Sequence, residues 1–261
     1  GYIGGGLLLA INLIMLKYPG WLGFRDGSFT VHDCFLSVAL WWLVFSFPIF
    51  LFLRERAYGK LSSSPEAGYF RAGYQRLQHT FRRIKSFREL TKFLVAYLIY
   101  NEGIETVIIM ASIFGAEVLG METNELILFF LMVQGIAFVG SMIFGFLADA
   151  IGNKRTIMIT LAIWSFIVLW AFQLGIIWDP KTEYWILGVL VAIVLGGSQA
   201  ASRSLQGIFT PDANSAEFFG FFAVSGKFAS IFGPLIYGIL IAITGSVQSG
   251  VLSVLFFFVV G

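Results

Sequence analysis

Two carboxylates, Glu102 and Glu105, stand three residues apart in the largely apolar stretch 92–116. At 100° per residue, Asn101, Glu105 and Ser112 fall within about 40° of one another on a helix, with Glu102 on the shoulder. Such a stripe can take up a proton, hold a cation or pair with a buried base. A second stripe, Gln199, Ser202, Arg203 and Gln206, follows the spacing i, i+3, i+4, i+7 in 184–208. Lys227 stands alone within 217–243 and Gln134 within 124–149. A charge at the centre of a membrane helix costs roughly 2.5–3.5 kcal/mol on insertion scales, so these side chains are expected to face a cavity or a partner. Snorkelling is the structural alternative for Arg203, and an interhelical hydrogen bond is the alternative for Gln134. Glu102, Glu105 and Lys227 lie ~15–20 Å from their helix ends, too deep to snorkel. The expectation is that they share a wet cavity, with Glu102 or Glu105 pairing with Lys227 either as a transport site or as a permanent structural ion pair.

The elements that must carry these residues follow from composition. Of 261 residues, 58% are hydrophobic and 12% charged, and the mean hydropathy is +0.85. A soluble domain carries roughly 25% charged residues, so this chain cannot cover a surface of its size against water. A formal net charge of +2 excludes a nucleic-acid binder. The single cysteine, Cys34, excludes an internal disulfide, a Cys-based zinc site and a CxxC pair. His32 and His79 have no ligand partners at useful spacing, so no metal, cofactor or catalytic constellation is expected. Gly4, Gly5 and Gly6 lack the G-K-[ST] ending of a phosphate loop and suit close helix packing instead.

Apolar runs of about 20 residues span a bilayer as helices. Eight candidates are legible, at 1–17, 32–53, 92–116, 124–149, 156–175, 184–208, 217–243 and 249–261. Neither end of the sequence carries a polar cap, which predicts a chain cut at both ends. The stretch 54–92 holds ten of the 17 Lys and Arg residues against three glutamates, which makes it cytoplasmic by the positive-inside rule. Parity then places 117–123 outside and Lys154 and Arg155 inside. Phe70, Tyr74, Leu77, Phe81, Ile84 and Leu90 recur at near-helical spacing among basic residues, predicting an amphipathic helix over about 67–90 along the membrane surface.

The segment Gly145-Phe-Leu-Ala-Asp149-Ala-Ile-Gly152-Asn-Lys154-Arg155 resembles the cytoplasmic G-x-L-[AF]-D-x-x-G-[RN]-[KR]-[KR] loop of the major facilitator superfamily, with Ala150 where a basic residue is usual. Tyr100–Val107, Met110–Gly115, Gly196–Ser204 and Phe218–Pro234 are similar to one branch of it, the branch of the fungal autophagy-related vacuolar amino-acid effluxers. The resemblance implies an all-α, multi-pass bundle of twelve helices in two halves. Residues 1–53 would be the last two helices of the first half, 54–91 a cytoplasmic linker, and 92–261 the second half, truncated in its last helix. It implies Asp and Gln in the branch where this chain has Glu102 and Glu105. It also implies that the spans bearing Asn101, Glu102, Glu105, Gln134, Gln199, Arg203 and Lys227 are those lining the central cavity. Gly145, Asp149, Gly152, Lys154 and Arg155 become a cytoplasmic gating loop, and the superfamily's internal symmetry predicts Asp149 beside the start of the first helix, around Gly1 to Gly5, in an outward-open state and separated from it in an inward-open one.

The function expected is secondary transport of a small polar solute, amino acids by resemblance, through alternating access. The expected partners are that solute, a proton and the lipid bilayer of a bacterial inner membrane, with a monomeric, non-enzymatic protein. A transport-dead scaffold or receptor on the same fold is the alternative.

Overall fold

A computed structural model describes residues 2–22, 29–53, 87–211 and 215–261. Among them there is no strand, and the helices run in the order α1 (Tyr2–Lys17), α2 (Val31–Phe52), α3 (Arg88–Ile113), α4 (Thr123–Ile151), α5 (Asn153–Phe172), α6 (Pro180–Phe209), α7 (Ser215–Phe228), α8 (Phe232–Thr244) and α9 (Val247–Val260). Helix α3 continues through one wider turn, Phe114–Val118. Six segments are long and apolar enough to cross a membrane: α2, α3 with its wide turn, α4, α5, α6, and α7 with α8 taken together. Helices α1 and α9 are apolar but shorter. The protein is a multi-pass membrane helix bundle. Most of the expected surface helix at 67–90 lies outside the described residues, but Arg88, Glu89 and Leu90 belong to α3, which starts four residues before the expected 92.

Local chemistry sets the boundaries. Asp179 caps α6 by accepting from the Lys181 and Thr182 amides, and Pro180 takes the first helical position, where a missing N–H costs nothing. Between α4 and α5 the chain reverses on one residue, Gly152, whose φ of +91° lies in the left-handed region that favours glycine. That joint falls within the loop motif read from the sequence.

Helices α4 and α6 make the central contact of the bundle. A Cβ on Gly196 would overlap the Ala137 carbonyl, one on Gly140 the Ile193 carbonyl, and one on Gly197 the Phe144 ring. In lipid, where apolar side chains gain little from meeting one another, close backbone approach is what holds helices together. Polar side chains add interhelical bonds. The Trp164 indole of α5 donates to Ser198 Oγ on α6 at 3.0 Å. Ser202 donates to the Ser198 carbonyl, so the 2.6 Å bond between Tyr100 and Ser202 has the tyrosine as donor, tying α3 to α6. Gln206 Nε2 donates to the Phe218 carbonyl at 3.1 Å and ties α6 to α7.

The two ends of the bundle carry different chemistry. At one end Glu89 of α3 pairs with Lys92 and lies within electrostatic reach of Lys154, at the α4–α5 joint. At the other, Lys181 of α6 meets Glu125 of α4 at 2.6 Å. This is the up-and-down arrangement that parity requires.

The expected span 217–243 is present as one apolar segment, Ser215–Thr244, but it is broken within into two helices. Between α7 and α8 the bonding shifts, with the Ser230 amide donating to the Lys227 carbonyl and the Ile231 amide to that of Phe228. The cause is Pro234, which has no N–H to offer the Ser230 carbonyl but fits the first turn of a new helix. The expected approach of Asp149 to the start of α1 depends on the state of the bundle. Gly5 and Gly6 of α1 lie against Gln134, fifteen residues from Asp149 on the same helix, which is about 22 Å at 1.5 Å per residue. Asp149 is therefore apart from the start of α1 here, so the close arrangement expected of an outward-open state is not the one seen.

Candidate functional site

Helix α3 carries the densest polar chemistry. Asn101 and Glu102 are buried and Glu105 is half-buried. Glu102 lies fourteen residues after Arg88, about 21 Å along the helix axis and close to its middle. Its Oε2 accepts the Gly233 amide of α8 at 2.6 Å, and the Phe232 amide faces the same carboxylate. Two orphan donors of the α8 N-terminus thus point at this carboxyl group, whose ionised form the helix dipole favours. Glycine is required for the approach, because a Cβ at 233 would overlap the Thr106 hydroxyl. The expected pairing of Glu102 with Lys227 is replaced by this contact.

Lys227 is exposed, one residue before the end of α7. Among the described residues the ion pairs are Lys92–Glu89 and Lys181–Glu125, so Lys227 has none there. It lies within electrostatic reach of Glu105. Asn101 Nδ2 donates to the Gly226 carbonyl, at a long 3.5 Å, one residue before Lys227. The Tyr97 hydroxyl lies within reach of both Glu105 and Arg203, and Arg203 also reaches Tyr2. Glu105 of α3 thus acts on Tyr97 and is acted on by Lys227 of α7, Arg203 of α6 acts on Tyr97, and Asn101 bonds to α7 one residue from Lys227.

Gln134 and Gln199 belong to a different place. Both line a cavity of about 340 Å³ inside the bundle, along with Thr106, Tyr184 and Tyr237 and a mainly apolar wall. Gln199 Oε1 accepts the Tyr2 hydroxyl at 3.0 Å. The stripe read on α6 divides accordingly: Ser202 and Gln206 are buried in interhelical bonds, while Gln199 and Arg203 remain on cavity-facing or exposed surface. Of the gating-loop residues, Asp149, Gly152, Lys154 and Arg155 are exposed and Gly145 is half-buried.

Sequence reasoning missed three participants. Tyr97 and Tyr2 are ordinary aromatics by pattern, and only their neighbours give them a role. Glu183 is fully buried and accepts the amides of Gly175, Ile177 and Trp178 at 2.9, 2.9 and 2.6 Å, clamping the α5–α6 connection. Its signal was an acid just before the expected start of the span at 184, in the first turn of α6.

Over residues 1–261 the chain matches the family described as "Vacuole effluxer Atg22 like". It is 31% identical over 263 residues to the uncharacterized MFS-type transporter YxiO of Bacillus subtilis, covering all of this chain and 59% of that protein. It is 26% identical over 258 residues to autophagy-related protein 22-2 of Aspergillus clavatus, covering 92% of this chain and 41% of that one. Autophagy-related protein 22 of Coccidioides immitis is 28% identical over 257 residues, with 91% and 42% covered. The chain thus spans about two-fifths to three-fifths of the length of these curated relatives. No solved structure matches it. With a family match over its whole length and the loop motif at the α4–α5 joint, the chain belongs to the vacuole effluxer Atg22-like family of major-facilitator transporters.

Proposed function

We propose that the whole protein is a secondary transporter that moves a small polar solute by alternating access. The observation that carries this reading is that Glu105 lies within electrostatic reach of both Lys227 and Tyr97, and Tyr97 within that of Arg203, on helices long enough to span a bilayer. Opposite charges held apart rather than paired suit a zwitterion: Glu105 would take an ammonium group, and Lys227 or Arg203 a carboxylate. An amino acid is the solute class that fits both this chemistry and the family. On this reading residues 1–53 complete a first half, 54–91 link the halves, and 92–261 form a second half that rocks against the first. The bacterial relative supports a cell-membrane location, and the protein acts as a monomer without catalysing a covalent step.

The test is counterflow in proteoliposomes containing the full-length protein, preloaded with unlabelled amino acids and given a labelled mixture outside. Label should enter well above the protein-free level, and Glu105→Gln and Lys227→Met should each abolish entry while the protein remains folded. Entry at the protein-free level for every amino acid overturns the proposed solute. A full-length protein that moves no solute at all is a scaffold or receptor on this fold.

A further inference from the structure

Glu102 uses only part of its hydrogen-bonding capacity. The residue is 3% exposed, its Oε2 accepts the Gly233 amide, and its Oε1 is buried with no partner. The contact lies where a membrane helix is broken, and that break depends on residues that allow little adjustment. Pro234 prevents α7 and α8 from joining, and Gly233 touches both Thr106 and Glu102.

The charges around the carboxylate leave it without an ion-pair partner among the described residues. On its own helix, Glu105 is of like sign and within electrostatic reach. From α7 the neighbouring cation is Lys227, which acts on Glu105. Helix α8 contributes Tyr237, which is buried and neutral, and α9 carries no ionisable residue. Arg203 of α6 acts on Tyr97, five residues earlier on α3. The positive group that holds Glu102 is therefore the α8 N-terminus itself.

The two protonation states act differently on that terminus. The ionised carboxylate makes a charge-assisted bond to the Gly233 amide and opposes the positive end of the α8 dipole. A proton placed on Oε1, the unpartnered oxygen, removes the charge and leaves Oε2 as an ordinary carbonyl acceptor. The bond weakens and the dipole attraction disappears.

We propose that Glu102 is a proton-operated latch: ionised, it holds the start of α8 against α3, and a proton taken from water at Oε1 releases it. Within the transport reading, on which this role in coupling rests, a proton then becomes the co-transported ion, and the break between α7 and α8 becomes the element it moves. The latch itself can be tested without any solute.

The experiment is amide hydrogen exchange on the full-length protein in nanodiscs, following peptides that cover 226–240 from about pH 5 to about pH 9 and correcting for intrinsic exchange. Protection should fall about tenfold on acidification, through a single-proton step, as the dipole and charge-assisted terms are lost. Glu102→Gln should remove the step and show the released level throughout. Glu102→Asp should keep the step at a moved midpoint, and this variant decides the matter if the amide variant does not fold. Protection that does not vary with pH in the native protein overturns the proposal, as does a step that survives Glu102→Gln or is unmoved by Glu102→Asp. A step abolished by Glu105→Gln but not by Glu102→Gln assigns the switch to Glu105 instead and also overturns it. Protein that shows the step but moves no solute retains the latch and loses the transport reading. Protein that transports without the step does the reverse.

Discussion

Single buried side chains set the strength of this bundle where it has no help from water. Glu183 satisfies three amides of the α5–α6 connection, and charge-assisted bonds of this kind are roughly twice as strong as neutral ones. Glu183→Gln removes the charge and one acceptor oxygen, so it should destabilise the protein by about 2 kcal/mol, read as a lowered midpoint in detergent-mediated unfolding. Ser198→Ala strands the Trp164 indole N–H at a fully buried site and should cost about 1 kcal/mol, near the upper range of hydrogen bonds measured between membrane helices. Lys181 and Glu125 are 42% and 30% exposed, so Lys181→Met should change stability by about 0.5 kcal/mol at most. A loss as large as that from Glu183→Gln would mean that burial does not rank these charges.

Between elements, the controlling quantity is how closely two backbones approach. Helices α4 and α6 meet through Gly140, Gly196 and Gly197, and a side chain at 196 would collide with the Ala137 carbonyl. Backbone cannot swing aside as a flexible side chain does. Gly196→Val should therefore cost about 3 kcal/mol and lower the yield of monodisperse protein on size exclusion, and normal yield with an unchanged melting temperature would show that this contact is not formed. The break between α7 and α8 follows from the same kind of local constraint. Pro234 removes one amide, Gly233 leaves room for α3, and Glu102 accepts from the buried terminus that results.

Over the whole molecule, alternating access requires α1 to separate from α4 at some stage if they belong to different halves. A Cβ at Gly6 would lie 3.5 Å from that of Gln134, within the span a disulfide bridges. In a Cys34→Ala background, Gly6→Cys with Gln134→Cys should cross-link on mild oxidation, arrest counterflow in the full-length protein, and recover on reduction. Undiminished flux through fully cross-linked protein would exclude separation of these two helices from the transport cycle.

Much of this architecture was legible along the chain. Lipid leaves the backbone few options, so runs of about 20 apolar residues mark helices whatever their neighbours, and the eight spans read from hydropathy agree with α1 to α9 once the break after Phe228 is allowed for. Partners were not legible. Periodicity gives the face of a helix, but the register between two helices is decided by where glycines let their backbones touch. That is why Gly5 meets Gln134 and leaves Asp149 far from α1, and why Ser202 and Gln206 of one stripe are consumed in packing while Arg203 stays free of it. It is also why Glu102, which by charge alone should have sought Lys227, lies instead against a helix terminus that exists only because the chain breaks beside it.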